Sequence, residues 1–377
     1  MLGIYIHIPF CLKKCSYCDF VSLEQPALID AYFRALKTEV GLTGRMYGRK
    51  ADTVFFGGGT PSFPDARYIA GIMDALRGSY SIQEDAEVTL EANPCSMTPQ
   101  KLRTYREAGV NRLSIGMQAA QDSLLATLGR QHTHEQFDRA FCSAREAGFE
   151  NINIDAIYAV PGQKMREWEE TLRYILQKDP EHVSAYAMKL EEGTPLARAV
   201  EAGEFFPVDE DTDAAMYHIA QDMLEENGYT NYEVSNFARE GRECRHNLKY
   251  WNVRDYIGLG PAAHSCVEHI RFAHTENVEE YIEQMAAGTL RYASSELIPE
   301  QERKLEYIML KLRLKKGFTF FDYKSRFNED FRERFQEELN EVLRFGLAEA
   351  DDRGVRPTRK GFDLQNRLVS ILIQNLS

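Results

Sequence analysis

Three cysteines stand close together near the start of the chain, Cys11, Cys15 and Cys18, in the spacing Cys-x3-Cys-x2-Cys. Thiolates at such intervals can converge on one metal centre. Two chemistries fit. A four-iron cluster takes four ligands, so three cysteines leave one iron open to something that is not protein. Alternatively, His7 joins the three thiols in a Cys3His zinc site. The spacing alone does not choose between them.

The elements that must position these residues come next. Ahead of the cysteines, Ile4, Ile6 and Ile8 alternate with Tyr5, His7 and Pro9, which predicts a β-strand with the cysteines on the loop past its C-terminal end. Further strands are predicted at 52–56, running into Gly57-Gly58-Gly59, and at 86–94, 112–118, 151–158 and 182–188. Helical periodicity separates them at 26–47, through Ile69 to Leu76, and at 98–108, 135–147 and 165–177. Six β-α units predict a parallel sheet with right-handed crossovers. Six fall short of eight, so the expected fold is α/β, a partial (β/α)6 barrel over residues 1–230. An open doubly wound sheet is the alternative, but Gly57-Gly58-Gly59 is neither Gly-x-Gly-x-x-Gly nor a phosphate loop. In β/α barrels the strand C-terminal ends build the site. Here the cysteines, the glycine triplet, Glu91 with Asn93 and Pro94, Gln118, and Asp155 mark five successive strand ends. Together they read as one pocket.

Residues 189–213 read as a loop, 214–227 as a helix and 232–237 as one more strand. A glycine-rich turn at 256–265 and a helix at 277–287 complete a barrel extension over 231–298. From 299 to 377 the texture changes. Charged amphipathic helices at 302–314 and 331–345, a hairpin around the turn 351–354 and a last helix at 360–376 predict an α+β, winged-helix-like domain. It is expected to serve packing or protein contact.

The net charge of −13 with no basic stripe argues against nucleic-acid binding. No run of about 18 apolar residues occurs. The chain enters a strand with no signal-peptide pattern, so the expectation is a cytoplasmic protein with reduced thiols. Cys95, Cys142, Cys244 and Cys266 are isolated and read as buried free thiols.

The motifs taken together resemble the radical S-adenosylmethionine (SAM) superfamily, and within it the HemN/HemW branch, which includes oxygen-independent coproporphyrinogen dehydrogenase. The resemblance rests on Tyr-Ile-His-Ile-Pro-Phe-Cys (5–11), Gly-Gly-Gly-Thr-Pro-Ser (57–62), Glu-Ala-Asn-Pro (91–94), Asn-Arg-Leu-Ser-Ile-Gly-Met-Gln (111–118), Leu-Gly-Arg-Gln-His (128–132) and Asn-Ile-Asp-Ala-Ile-Tyr with Pro-Gly-Gln (153–163). It implies a [4Fe-4S] cluster on Cys11, Cys15 and Cys18, with SAM chelating the open iron. It implies that Tyr5, Gly58 and Glu91 lie along SAM, Glu91 at its amino group. A second SAM site in the dehydrogenase uses the positions of Tyr17, Gly59, Thr60, Gln118, Arg130 and Asp155.

Departures separate the members of the branch. The dehydrogenase has a fourth cysteine where Phe20 stands here, and a longer arm before its cluster. Residues 246–251 fit the His-Asn-x-x-Tyr-Trp motif of the branch's heme-chaperone group. The resemblance therefore implies heme near His246, Tyr250 and Trp251, with His264 as a competing ligand. Because residues 245–251 follow the last expected barrel strand, they are expected near the open, cluster end of the sheet. The expected partners are heme, a heme-acceptor protein such as a respiratory enzyme, and an electron donor, with peripheral membrane contact left open. The alternative is a radical SAM oxidoreductase acting on a tetrapyrrole. SAM cleavage is expected, and coproporphyrinogen dehydrogenation is not.

Overall fold

The computed structural model describes residues 1–375. Six parallel strands lie side by side in chain order: β1 (Leu2–Ile8), β2 (Lys50–Gly58), β3 (Ser81–Ala92), β4 (Arg112–Gln118), β5 (Ile152–Tyr158) and β6 (His182–Ala187). Helices α1 (Ile29–Tyr47), α2 (Ala66–Ser79), α3 (Pro99–Glu107), α4 (Asp122–Thr127), α5 (His134–Glu146) and α6 (Met165–Lys178) connect them. Alternation on β1 decides which face is which. Ile4, Ile6 and Ile8 are fully buried in one core with Tyr32, Phe33 and Leu36 of α1. Each such side chain contributes roughly 1.5–3 kcal/mol. Tyr5 and His7 are left to face the barrel interior. Side-chain caps from Asp65, Thr98 and Thr133 start α2, α3 and α5 where the periodicity begins.

The partial barrel is extended on both edges. After β6 come α7 (Pro195–Glu201), α8 (Glu210–Glu226) and the short strands β7 (Thr230–Asn231) and β8 (Asn236–Ala238), with β8 antiparallel to β6. Of the expected strand at 232–237, Asn236 and Phe237 belong to β8 and 232–235 form the turn before it, and the expected loop at 189–213 contains α7. Next is α9 (Arg245–Trp251). The expected turn at 256–265 is largely strand: β9 (Tyr256–Leu259) pairs parallel to β1, and β10 (His264–Val267), β11 (Ile270–Ala273) and, after α10 (Val278–Ala286), β12 (Ser294–Leu297) continue antiparallel. The result is one twelve-stranded sheet.

The C-terminal part comprises α11 (Glu300–Lys311), β13 (Phe318–Thr319), α12 (Phe320–Phe327), α13 (Phe331–Arg334), α14 (Gln336–Arg344), β14 (Ala348–Ala350), β15 (Gly354–Pro357), α15 (Arg359–Asp363) and α16 (Gln365–Ile373). It has its own core and a three-stranded antiparallel sheet. The hairpin is as expected. The helix expected over 331–345 is broken at Phe335, whose ψ of 33° is not helical. The last helix is interrupted at Leu364, and its expected end at Leu376 lies outside the described residues. This part docks on the segment after α9. Lys311 Nζ donates to Asn252 Oδ1 at 2.7 Å, and Arg326 donates to the carbonyls of Asn252 and Val253. Among the described residues no helix is long and apolar enough to cross a membrane. Cys244 is buried and Cys266 half-buried, but Cys95 and Cys142 are exposed, against expectation. Cys95 sits in the turn after β3, and Cys142 on the outer face of α5.

Candidate functional site

At the C-terminal ends of β1–β6 a cavity of about 470 Å³ opens, lined by Cys11, Cys15 and Cys18 together with Gly58, Gly59 and Glu91. The three thiols are free. Among the described residues no three metal-ligating side chains form a preformed single-ion site. In a cubane each cysteine would bind a different iron. Zinc with His7 as fourth ligand does not fit the geometry. His7 Nε2 donates to the Val21 carbonyl at 2.8 Å and Nδ1 accepts from the Tyr5 hydroxyl at 3.2 Å, so both nitrogens are occupied.

The cysteine loop is clamped from outside. Ser16 N donates to Leu128 O at 3.1 Å, Ser16 Oγ to Thr127 O at 2.9 Å, and Leu196 N to Ser16 O at 2.8 Å. The ends of α4 and α7 thus fix where the thiols stand. Tyr17 packs into a small apolar cluster with Leu124, Leu128, Ile157 and Met188. The Arg130 Nη1 atom lies 3.6 Å from Cys15 Sγ, and Nη2 donates to Gly116 O at 2.8 Å. Burial works against the charge of Arg130, but Tyr17 and Cys15 outweigh it and hold its pKa above the ordinary value. Thr60 Oγ1 is 3.4 Å from Cys11 Sγ. Burial pushes the Cys11 thiol up and the Cys18 thiol up to about 11, so the loop without iron carries thiols that ligation must deprotonate.

Each glycine of the triplet has its own reason. A Cβ on Gly57 would come within 3.0 Å of the Tyr5 ring and 3.2 Å of Glu91 Oε2. Gly58 has a φ of +109°, and a Cβ there would strike the His7 ring at 2.8 Å. A Cβ on Gly59 would sit 3.1 Å from Cys11 Sγ. Gln118, at the end of β4, is a non-glycine residue with a φ of +70°, the kind of backbone outlier found at functional sites. Burial pushes Glu91 up to about 8, with the neighbouring Asp155 adding to the rise. Asp155 lies mid-strand, deeper than the strand end the sequence suggests. It accepts from Asn153 Nδ2 at 2.7 Å and from Ser114 Oγ, and burial raises its pKa against those bonds. Sequence reasoning missed Met188, Lys189 and Glu191, which complete the pocket just past β6. The same strand-end rule finds them.

Residues 245–251 are a correction. They do not lie at the cluster end. Helix α9 closes the opposite, N-terminal end of the barrel, because its partners are there. Glu87 accepts from the backbone N–H groups of Arg245 and His246, both at 3.0 Å, at the positive end of the helix. Lys249 Nζ pairs with Asp52 and donates to the Met1 carbonyl. Within this plug His246 is buried and stacks on Phe55 with ring centroids 5.2 Å apart. Its Nδ1 lies 2.9 Å from Thr53 Oγ1 and its Nε2 2.8 Å from the Tyr250 hydroxyl. Burial pulls its pKa down to about 3, so it is neutral. Binding iron there would strip a buried hydroxyl of its partner, at about 1–3 kcal/mol. The Trp251 ring faces the guanidinium of Arg313 in the C-terminal part, 5.5 Å from the centroid. His246 and Tyr250 both line a chamber inside the barrel, and Tyr250 also reaches a second cavity on the side of β1.

Known proteins place the chain. The radical SAM superfamily profile matches residues 5–175 and the HemN C-terminal domain profile matches residues 298–364. The heme chaperone HemW of Mycobacterium tuberculosis is 38% identical over 321 residues, covering 84% of this chain and 82% of that protein. HemW of Bacillus subtilis is 32% identical over 379 residues, covering 100% of both. The mitochondrial radical S-adenosyl methionine domain-containing protein 1 of Bos taurus is 32% identical over 392 residues, covering 99% of this chain and 88% of that one. Among solved structures, coproporphyrinogen III oxidase (HemN) from Escherichia coli, a radical SAM enzyme, superposes with a TM-score of 0.86 at 22% identity, covering 98% of this chain and 89% of that one. At that identity the likeness speaks for the fold. Full-length similarity to HemW proteins, on a barrel whose three free cysteines ring the strand ends, shows that the chain belongs to the HemW family of the radical SAM superfamily.

Proposed function

We propose that this protein is a heme chaperone that holds a [4Fe-4S] cluster on Cys11, Cys15 and Cys18, binds SAM beside it, and delivers heme to an acceptor protein such as a respiratory enzyme. The observation that carries the reading is the pairing of full-length similarity to HemW proteins with a thiol-ringed pocket whose residues are open to ligands. When bound, the cluster supplies an electron to SAM. The chain's own part is to bind and orient. Glu91, half-buried beside the glycine lip, offers a carboxylate for SAM's ammonium, and Gly57–Gly59 keep that lip free of side chains. Tyr5 sits behind the lip, Gln118 and Asp155 face the same cavity from β4 and β5, and Arg130 from the segment after α4, with Thr60 and Tyr17 at its edges. Arg130 ties the cysteine loop to β4, and it serves a second SAM only by giving up a bond it already makes. An electron donor for the cluster, a cytoplasmic setting and a peripheral membrane contact complete the proposal.

The second reading, a tetrapyrrole oxidoreductase, is opposed by Phe20, which stands in place of the dehydrogenase's fourth cysteine and is 62% exposed at the pocket edge. The test is an anaerobic incubation of reconstituted protein with SAM, reductant and coproporphyrinogen. The reading expects no protoporphyrinogen, with or without SAM cleavage. Turnover to protoporphyrinogen at an enzyme-like rate refutes it.

A further inference from the structure

On the far side of Phe20 from the cysteines, a second open cavity of about 420 Å³ runs along β1 towards β9 and β10. Its walls are mostly aromatic and apolar, with Asp19 and two histidines as the exceptions. Phe20 contributes an exposed aromatic face to one wall. Tyr250 and Tyr256 meet edge to face, centroids 4.7 Å apart, and present a second wall. Val21 and Ala262 fill between them. The chamber inside the barrel, by contrast, is about 250 Å³; it mixes aromatic rings with the charged groups of Glu91, Asp155 and Arg112, and the imidazole it holds, His246, already has both nitrogens bonded.

Two imidazoles reach the groove, and they differ. His7 has both nitrogens bonded, to Tyr5 and Val21. His264 is exposed and its ring makes no hydrogen bond or ion pair with any described residue. Its backbone, in contrast, is fixed. β10 pairs His264 with Ala273, Ala262 N donates to Thr275 O at 2.8 Å, and His274 N donates to Ala263 O at 3.0 Å. Ala262 holds a φ of +58°, a left-handed conformation that costs a non-glycine residue energy and turns the chain into the groove's rim. A rigid strand thus presents a free nitrogen beside flat apolar surface.

We propose that the iron porphyrin lies in this groove with His264 as its axial ligand, stacked between Phe20 and the Tyr250–Tyr256 pair. The inference rests on the heme-carrier reading above. It assigns Phe20 a positive role: the residue that replaces a cluster-type cysteine is the wall that heme leans on, and the cargo lies against the outer side of the cysteine loop. His246, beneath the groove, acts on heme only through the Tyr250 ring that it holds by its hydroxyl.

The test titrates ferric heme into the anaerobically reconstituted full chain and reads the Soret band, the electron paramagnetic resonance spin state and the affinity. His264→Ala should move the band and weaken binding about tenfold or more. Free imidazole should restore the spectrum, and the cluster absorbance should not change. His264→Met should give the distinct spectrum of a thioether ligand, a readout that a structural role would not produce. Phe20→Ala should weaken binding without altering the ligand type. If the wild type binds heme and His264→Ala keeps its band and affinity, the ligand assignment falls while the carrier reading stands. The same holds if the band survives His264→Ala but is lost in a folded His246→Ala protein. If the wild type binds no heme, both fall together.

Discussion

The two ends of the barrel carry equally recognisable motifs and use them in opposite ways. At the C-terminal end Cys11, Cys15, Cys18 and Glu91 line an open cavity, with thiols that bind nothing else covalently and a carboxylate that burial has pushed up to about 8. At the N-terminal end, His246 of the His-Asn-x-x-Tyr-Trp motif has both ring nitrogens occupied, and Glu87, Asp52 and the Met1 carbonyl hold the helix around it. One end keeps functional groups available, and the other spends them on closure. A shared motif therefore does not by itself identify a ligand. The state of its polar atoms does.

The largest effect that probes this contrast is loss of the cluster. Cys11→Ala, Cys15→Ala or Cys18→Ala should each abolish the charge-transfer absorbance after anaerobic reconstitution, where the wild type takes up about four irons and four sulfides. Retained absorbance in any one of them breaks the assignment of the open end. Next in size is His246→Ala. Removing a buried imidazole leaves a cavity and two hydroxyls without partners, so the protein should lose about 2–4 kcal/mol and melt several degrees lower, while still loading its cluster. A thermal melt with parallel iron analysis checks it. An unchanged melt would mean that the plug is not a structural lock.

A pH titration sharpens the other side. In the free chain Glu91 titrates near 8, above the ordinary carboxylate range, because burial and then Asp155 disfavour its charge. A cationic ligand needs the ionised form. Binding of SAM below that pH must therefore displace a proton, and affinity should fall about tenfold per pH unit from 8 towards 6. Above 8 it should turn down again, as SAM's own ammonium loses its proton. Glu91→Gln should remove the slope. A wild-type affinity that is flat across this window places SAM's ammonium elsewhere. The smallest effect is Tyr250→Phe, which deletes one hydroxyl from His246 but keeps the ring. It should cost about 1 kcal/mol in stability and leave the cluster unaltered.

The open end was legible in the sequence because most of the candidate residues fall where a strand stops, and a strand end has a fixed direction in a parallel barrel. What holds that end was not. Helices α4 and α7, which clamp Ser16, are six and seven residues long, too short to show a helical period. Strands β9 to β12 are four residues each, too short to show an alternation; β9 and the start of β10 read as a turn, and β11 and β12 gave no signal. The location of α9 was missed for a different reason. Its own residues set that it is helical, but Glu87 and Asp52, more than a hundred positions earlier, set which end of the barrel it closes. Asp155 was placed on the right strand, but at its end, whereas it lies mid-strand.

One anaerobic experiment tests the central claim most directly. Reconstituted protein is loaded with heme, mixed with a heme-free acceptor hemoprotein, and followed by absorbance, with coproporphyrinogen and SAM supplied in a parallel reaction. The account predicts a heme complex whose Soret band passes to the acceptor with the porphyrin unaltered, and no protoporphyrinogen in the parallel reaction. A protein that takes up no heme, or that converts coproporphyrinogen at an enzyme-like rate, contradicts it.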